Sequence, residues 1–184
     1  LGSSAALSAA VGAAMHRLAN PGKGIDRDGL SALAHRAEAH AQQGRASPMD
    51  ASTSVEGGIV VLSDNVEVDA NHLYTRQLMT PEGKRTWEVH NLAAPSDDVY
   101  LVLGNTGVFA PTSKQVAMVA DALAADPSRV REIEAIGTVA RRGLAALMEG
   151  DYEAVGHAMS ENHLLLRNLG VSSPELETLI QAAA

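Results

Sequence analysis

No cysteine occurs among the 184 residues. That absence excludes disulfides, thiolate metal sites and a cysteine nucleophile, and it agrees with a reducing cytoplasm as the compartment. Aromatic residues are nearly as scarce, at 3%. Ala, Val and Leu must therefore fill the core, and helices packed closely through small residues suit such a composition. No apolar run approaches the roughly 18 residues that a membrane span needs. The opening Leu1-Gly2-Ser3-Ser4 carries neither a basic segment nor a signal-peptide pattern. No membrane partner is expected. Basic residues are outnumbered, 14 Lys and Arg against 22 Asp and Glu, for a net charge of -8. Nonspecific nucleic-acid binding needs clustered positive charge, so nucleic acid is not expected as a partner either.

What is present is an ordinary apolar fraction of 46%, enough for one domain or two small ones. The Ala-rich stretch 5–19 reads as a helix stopped by Asn20-Pro21-Gly22. A second helix is expected over 26–43, with Asp26 or Asp28 as N-cap and Gly44 as the stop. Residues 44–58, rich in Gly, Ser, Thr and Pro, read as a loop, and a short apolar strand follows at Gly58–Ser63. The polar stretch 66–97 reads as strand and loop, and Val99–Leu103 as a strand buried on both faces. Helices are expected over 111–125, 128–149 and 151–169, and from Pro174 onward. The architecture is α+β, with a boundary between halves near residues 92–98.

Four segments carry residue types suited to chemistry. Gly2-Ser3-Ser4 precedes a helix, whose first turn offers free N–H groups and the positive end of the dipole to a phosphate. The plainer reading is Ser as an N-cap. Asp50, in the Gly/Ser-rich segment, could accept the proton of a substrate hydroxyl or orient it; the plainer reading is a turn Asp bonded to its own backbone. Glu38 near the C-terminus of the second helix opposes the helix dipole, and a bound Mg²⁺ would compensate it; the alternative is a solvated surface carboxylate. Gly104-Asn105-Thr106-Gly107 follows the expected strand, and Thr112 opens the next helix. The seven histidines are scattered; His35 and His40, five apart, miss the spacing that puts two ligands on one helix face, and none is assigned to metal.

The order of these segments is more informative than any one of them. Leu1-Gly2-Ser3-Ser4-Ala5-Ala6 resembles the second half of the nucleotide loop of GHMP kinases. Glu38, then Asp50, then Gly57-Gly58 is similar to the stretch in which mevalonate kinases, a branch of that superfamily, supply a Mg²⁺ carboxylate and a catalytic Asp. Asn105-Thr106-Gly107-Val108 with Thr112, and Met159-x-x-Asn162-His163-x-Leu165-Leu166 through Gly170-Val171-Ser172, resemble later segments of the same branch, particularly its archaeal forms.

The resemblance implies a GHMP kinase fold: a partial N-terminal nucleotide-binding domain over 1–95, like the second domain of ribosomal protein S5, and a helix-rich ferredoxin-like C-terminal domain over 96–184. It implies ATP and Mg²⁺ as cofactors, with Gly2, Ser3 and Ser4 along the triphosphate, Ser4 and Glu38 on Mg²⁺, Asp50 as base or hydroxyl-orienting group, and Thr106 and Thr112 toward the substrate. The implied reaction is ATP-dependent phosphorylation of mevalonate to 5-phosphomevalonate in isoprenoid biosynthesis. The alternatives are phosphomevalonate or homoserine kinase, or a non-catalytic binder of the same fold. A homodimer is compatible with the sequence but not read from it. The family's N-terminal Lys and late glycine loop have no counterpart, the start lacks Met, and an apolar helix is still running at Ala184. The chain is therefore expected to be the central and C-terminal part of a longer protein.

Overall fold

A computed structural model describes residues 2–67, 70–93, 100 and 102–183. The chain divides into two compact units, Leu1–Ala94 and Pro95–Ala184.

The first unit opens with three helices, α1 (Ser3–Ala19), α2 (Arg27–Ala41) and α3 (Met49–Glu56). Their shared core is made almost entirely of methyl groups: Ala5 and Ala9 from α1, Ala34 from α2 and Ala51 from α3, with Val55 packed against them. Small residues let helix axes approach closely, and this is how a chain with few aromatics builds a dense interior. α1 buries only its small residues and leaves Leu7, Val11, Met15 and Leu18 exposed.

Helix α3 corrects the loop expected over 44–58. Pro48 occupies its N-cap and is buried. The run after it, Met49 to Glu56, holds no Gly or Pro, and its acidic Asp50 sits in the first turn, where the helix dipole favours negative charge. Gly57, at φ 71°, ends the helix.

A three-stranded antiparallel sheet follows in the order β1-β3-β2, from β1 (Ile59–Ser63), β2 (Asn71–Thr80) and β3 (Gly83–Leu92). The polar stretch 66–97 thus contains a ten-by-ten-residue hairpin, closed by a two-residue turn at Pro81-Glu82 in which Thr80 Oγ1 donates to the Gly83 carbonyl at 2.8 Å. Its buried side chains include Arg76 and His90 as well as Tyr74, Val89 and Leu92. Two buried polar side chains break the apolar alternation by which strands are recognised.

In the second unit the described elements are helical: α4 (Thr112–Ala125), a 3₁₀ turn at Pro127–Arg129, α5 (Val130–Glu149), α6 (Tyr152–Asn168) and α7 (Pro174–Ala183). Side chains at the helix starts fix the corners. Asp126 Oδ1 accepts from the Ser128 amide at 3.0 Å, and Asp151 Oδ1 from the Ala154 amide at 3.0 Å. α5 and α6 pack against each other at Gly143, where an added β-carbon would lie 3.2 Å from the Ala158 methyl. The strand expected at Val99–Leu103 is corrected. Val99 and Leu101 lie outside the described residues, while Tyr100, Val102 and Leu103 are exposed and form no strand. A buried strand needs a neighbour to satisfy its backbone, and among the described residues of this unit there is none.

Candidate active site

The N-terminus of α1 is the focus of the first unit. Gly2 caps the helix in the left-handed conformation, φ 58° and ψ 19°, a region glycine enters without the Cβ penalty of other residues. It is also packed against Asp50: a β-carbon added to Gly2 would lie 3.4 Å from Asp50 Cγ. Asp50 itself is in the first turn of α3 and exposed. The start of α3 therefore lies beside the start of α1, and each has unpaired N–H groups in its first turn. One turn into α1, Ser4 Oγ donates a hydrogen bond to Glu38 Oε1 at 2.7 Å.

Glu38 is only 5% exposed, which removes the solvated-surface reading of that residue. It is three residues from the end of α2, and Ser4 supplies a local hydrogen bond to the carboxylate. The turn reading of Asp50 gives way to a helical one. The N-cap reading of Ser3 and Ser4 also fails, because the cap position belongs to Gly2 and no side chain bonds there.

The structure thus brings together Gly2, Ser3, Ser4, Glu38 and Asp50. Thr106 and Thr112 belong to the second unit. Thr106 Oγ1 accepts from the Val108 amide at 3.2 Å, beside an equivalent contact from the Gly107 amide to Asn105 Oδ1 at 2.7 Å, and Thr112 is the first residue of α4. Among the described residues no three His, Asp or Glu side chains gather into a metal-holding cluster.

Sequence reasoning passed over the side chains behind the site. On α2 the buried polar residues Ser31, His35 and Glu38 are spaced i, i+4, i+7 and share one face. Ser31 lies 3.3 Å from Ser52 of α3, Glu38 receives Ser4 of α1, and His35 reaches the segment entering α3. His35 Nε2 lies 3.0 Å from the Ala46 carbonyl; a carbonyl only accepts, so Nε2 carries the proton. Its ring stands edge-on to Trp87 at 5.9 Å. Burial, with the Arg76 guanidinium adding to it, holds the His35 pKa below the usual histidine value, against the opposing influence of the Ala46 hydrogen bond and Glu38. The polar stripe at helical spacing is the signal that could have found these residues. Arg45, the basic residue beside Asp50 in the sequence, is engaged by Glu82 of the hairpin at 3.0 Å.

Comparison with known proteins adds a family to this geometry. Residues 1–58, which hold α1, α2, α3 and every site residue of the first unit, match the model of the GHMP kinases N terminal domain. Over that stretch the chain is similar to the GHMP kinases. Its described elements, α+β with seven helices and a small three-stranded sheet, are consistent with a partial GHMP kinase fold. Among curated proteins, the chain is similar to the mevalonate kinase of Methanothermobacter thermautotrophicus, 29% identical over 184 residues. It is equally similar to that of Pyrococcus furiosus, 29% over 189 residues, and less so to that of Saccharolobus solfataricus, 24% over 193. All of this chain is covered in each case, but only 52%, 48% and 50% of the respective relatives. The chain spans about half the length of the curated relatives it matches. No solved structure matches it. No described helix is long and apolar enough to cross a membrane.

Proposed function

We propose that the whole protein transfers the γ-phosphoryl group of ATP to the primary hydroxyl of mevalonate. The observation that carries this reading is the joint placement of Ser4, Glu38 and Asp50 around the N-terminus of α1, within the stretch that matches the GHMP kinase model. The similarity to three mevalonate kinases supports mevalonate as the acceptor.

The chain's own groups divide the work. The open first turn of α1, with Gly2 and Ser3, binds the triphosphate through N–H groups and the dipole. Ser4 and Glu38 offer a hydroxyl and a buried carboxylate, the hard oxygen donors that suit Mg²⁺, which takes one or two carboxylates and completes its shell with phosphate and water. When bound, the cation neutralises charge on the phosphates. Asp50 takes the proton of the substrate hydroxyl, or orients that hydroxyl, as its oxygen bonds to the γ-phosphorus and the bond to the ADP oxygen breaks. Arg45, the basic residue beside Asp50 in the sequence, is paired with Glu82, which mildly disfavours an acceptor that already carries phosphate. A reaction on ATP and a chain without cysteine both suit the cytoplasm.

The test is ADP release by the full-length protein across a panel of small alcohols. Mevalonate-dependent turnover is expected. A clear preference for homoserine or phosphomevalonate would replace the acceptor, and turnover with none of the panel would favour a non-catalytic binder.

A further inference from the structure

We infer that Tyr74 is a positioning residue for Asp50, acting through a buried chain of hydroxyl groups that sets the rotation of α3 against α2. The inference rests on the kinase reading for what Asp50 does, but not for the existence of the chain.

Tyr74, on β2, is buried, and its Oη lies 3.0 Å from Ser31 Oγ and 3.3 Å from Glu56 Oε1. Ser31 Oγ in turn lies 3.3 Å from Ser52 Oγ, and both serines are fully buried. Each hydroxyl has one proton, and a carboxylate only accepts. One assignment satisfies all of them: Ser52 donates to Ser31, Ser31 to Tyr74, and Tyr74 to Glu56. The chain thus leaves α3 at Ser52, crosses α2 at Ser31, turns at β2 and returns to α3 at Glu56, one helical turn further on. Glu56 also faces Arg27 of α2 at 3.6 Å. The phenol is itself held: the Arg76 guanidinium stacks 3.8 Å from its ring centroid, and Arg76 is tied to the start of α2 through the Asp28 carbonyl at 2.8 Å and its carboxylate.

The apolar contacts of α3 cannot set its rotation as closely. They come from Ala51 and Val55 against other small side chains, and burial of apolar area has no directional preference. Hydrogen bonds do. A helix turns 100° per residue, so a small rotation of α3 carries Asp50 away from Gly2, where an added β-carbon would now meet its side chain at 3.4 Å. Bonds at Ser52 and Glu56, at the inner end of Tyr74, define that angle at two points on one face.

The test uses the full-length protein with Tyr74→Phe, and Ser52→Ala as a second way to cut the chain. Tyr74→Phe keeps the ring under Arg76 and removes only the hydroxyl. Amide exchange over residues 49–56 should become about three- to tenfold faster, the loss of one buried hydrogen bond, with α1 and β3 unchanged. The kcat for mevalonate should fall about tenfold, as misplacing a reacting group does, while the KM for ATP stays within about twofold. The double variant should cost little more than the worse single one, because both cut one chain. Unchanged exchange over 49–56 would overturn the chain. Faster exchange throughout the first unit would make Tyr74 a general structural residue, and faster exchange in α3 alone with an unchanged kcat would overturn its link to Asp50. A wild-type protein that phosphorylates no alcohol would instead count against the kinase reading, and the exchange measurement would then decide the hydroxyl chain by itself.

Discussion

Asp50, Glu38 and His35 are three titratable side chains on the helices of the first unit, and each has its own environment. Asp50 is open to solvent and set against the N-cap of α1. Asp50→Asn keeps its size and removes its charge and basicity. Turnover by the full-length enzyme should fall about two orders of magnitude or more, while ATP affinity, which depends on the α1 terminus, should barely change; steady-state kinetics with nucleotide titration separates the two. Glu38 is buried and accepts from Ser4. Glu38→Gln preserves that acceptor, so the fold should hold, but the amide lacks the charge that attracts Mg²⁺. The Mg²⁺ concentration giving half-maximal rate should rise, and an unchanged Mg²⁺ curve would remove Glu38 from the metal site. His35 is kept neutral chiefly by burial, its pKa lowered from the ordinary 6.5. The unfolded chain then binds more protons than the folded one below that value, so stability rises with pH through this window. The contribution is fully present above about 6.5 and is lost as pH falls toward the lowered value. Denaturant titrations between pH 7 and 5 should show this loss, and His35→Gln, which retains a donor for the Ala46 carbonyl, should flatten it.

At the scale of elements, the helices of the second unit were legible because their signals are local. Gly150 and Gly170 follow α5 and α6, Asp126 and Asp151 open the elements after them, and Pro174 starts α7. α3 and the hairpin were not. α3 is eight residues long, too short for periodicity to declare itself, and isolated helices of that length are marginal. Its stability comes from packing Ala51 and Val55 on α1 and α2, which no local pattern contains. The hairpin hid behind Arg76 and His90, buried polar residues that find their partners only in the folded unit: Asp28 for Arg76, and for His90 the Glu67 amide at 3.0 Å. The contact of α5 with α6 offers a direct check on packing. Gly143→Leu would drive a branched side chain into the Ala158 methyl at a site where even a β-carbon would lie 3.2 Å away. Overpacking of this kind costs about 1–3 kcal/mol, which calorimetry of the variant should report as a lowered transition for the second unit, leaving α1–α3 unaffected.

For the whole molecule, ligand binding and stability are linked. A protein whose first unit binds Mg²⁺–ATP at the start of α1 is stabilised by about 2.7 kcal/mol at a ligand concentration one hundred times Kd. The thermal midpoint of the full-length protein should therefore rise with ATP and Mg²⁺ together, rise less with ATP and a chelator, and respond weakly in Ser4→Ala. Equal shifts with and without Mg²⁺ would place the cation elsewhere. The sequence by itself determined the likeness to GHMP kinases, because Gly2-Ser3-Ser4, Glu38 and Asp50 follow one another in that family's order, and it determined the long helices, because capping and 3.6-residue periodicity act within a few residues. The tertiary structure alone decided that Ser4 bonds Glu38, that Asp50 rests on Gly2, and that Ser31, His35 and Glu38 make one helix face the support of all three. These contacts join residues far apart in the chain, and their energies depend on burial and direction, which exist only once α1, α2 and α3 have packed.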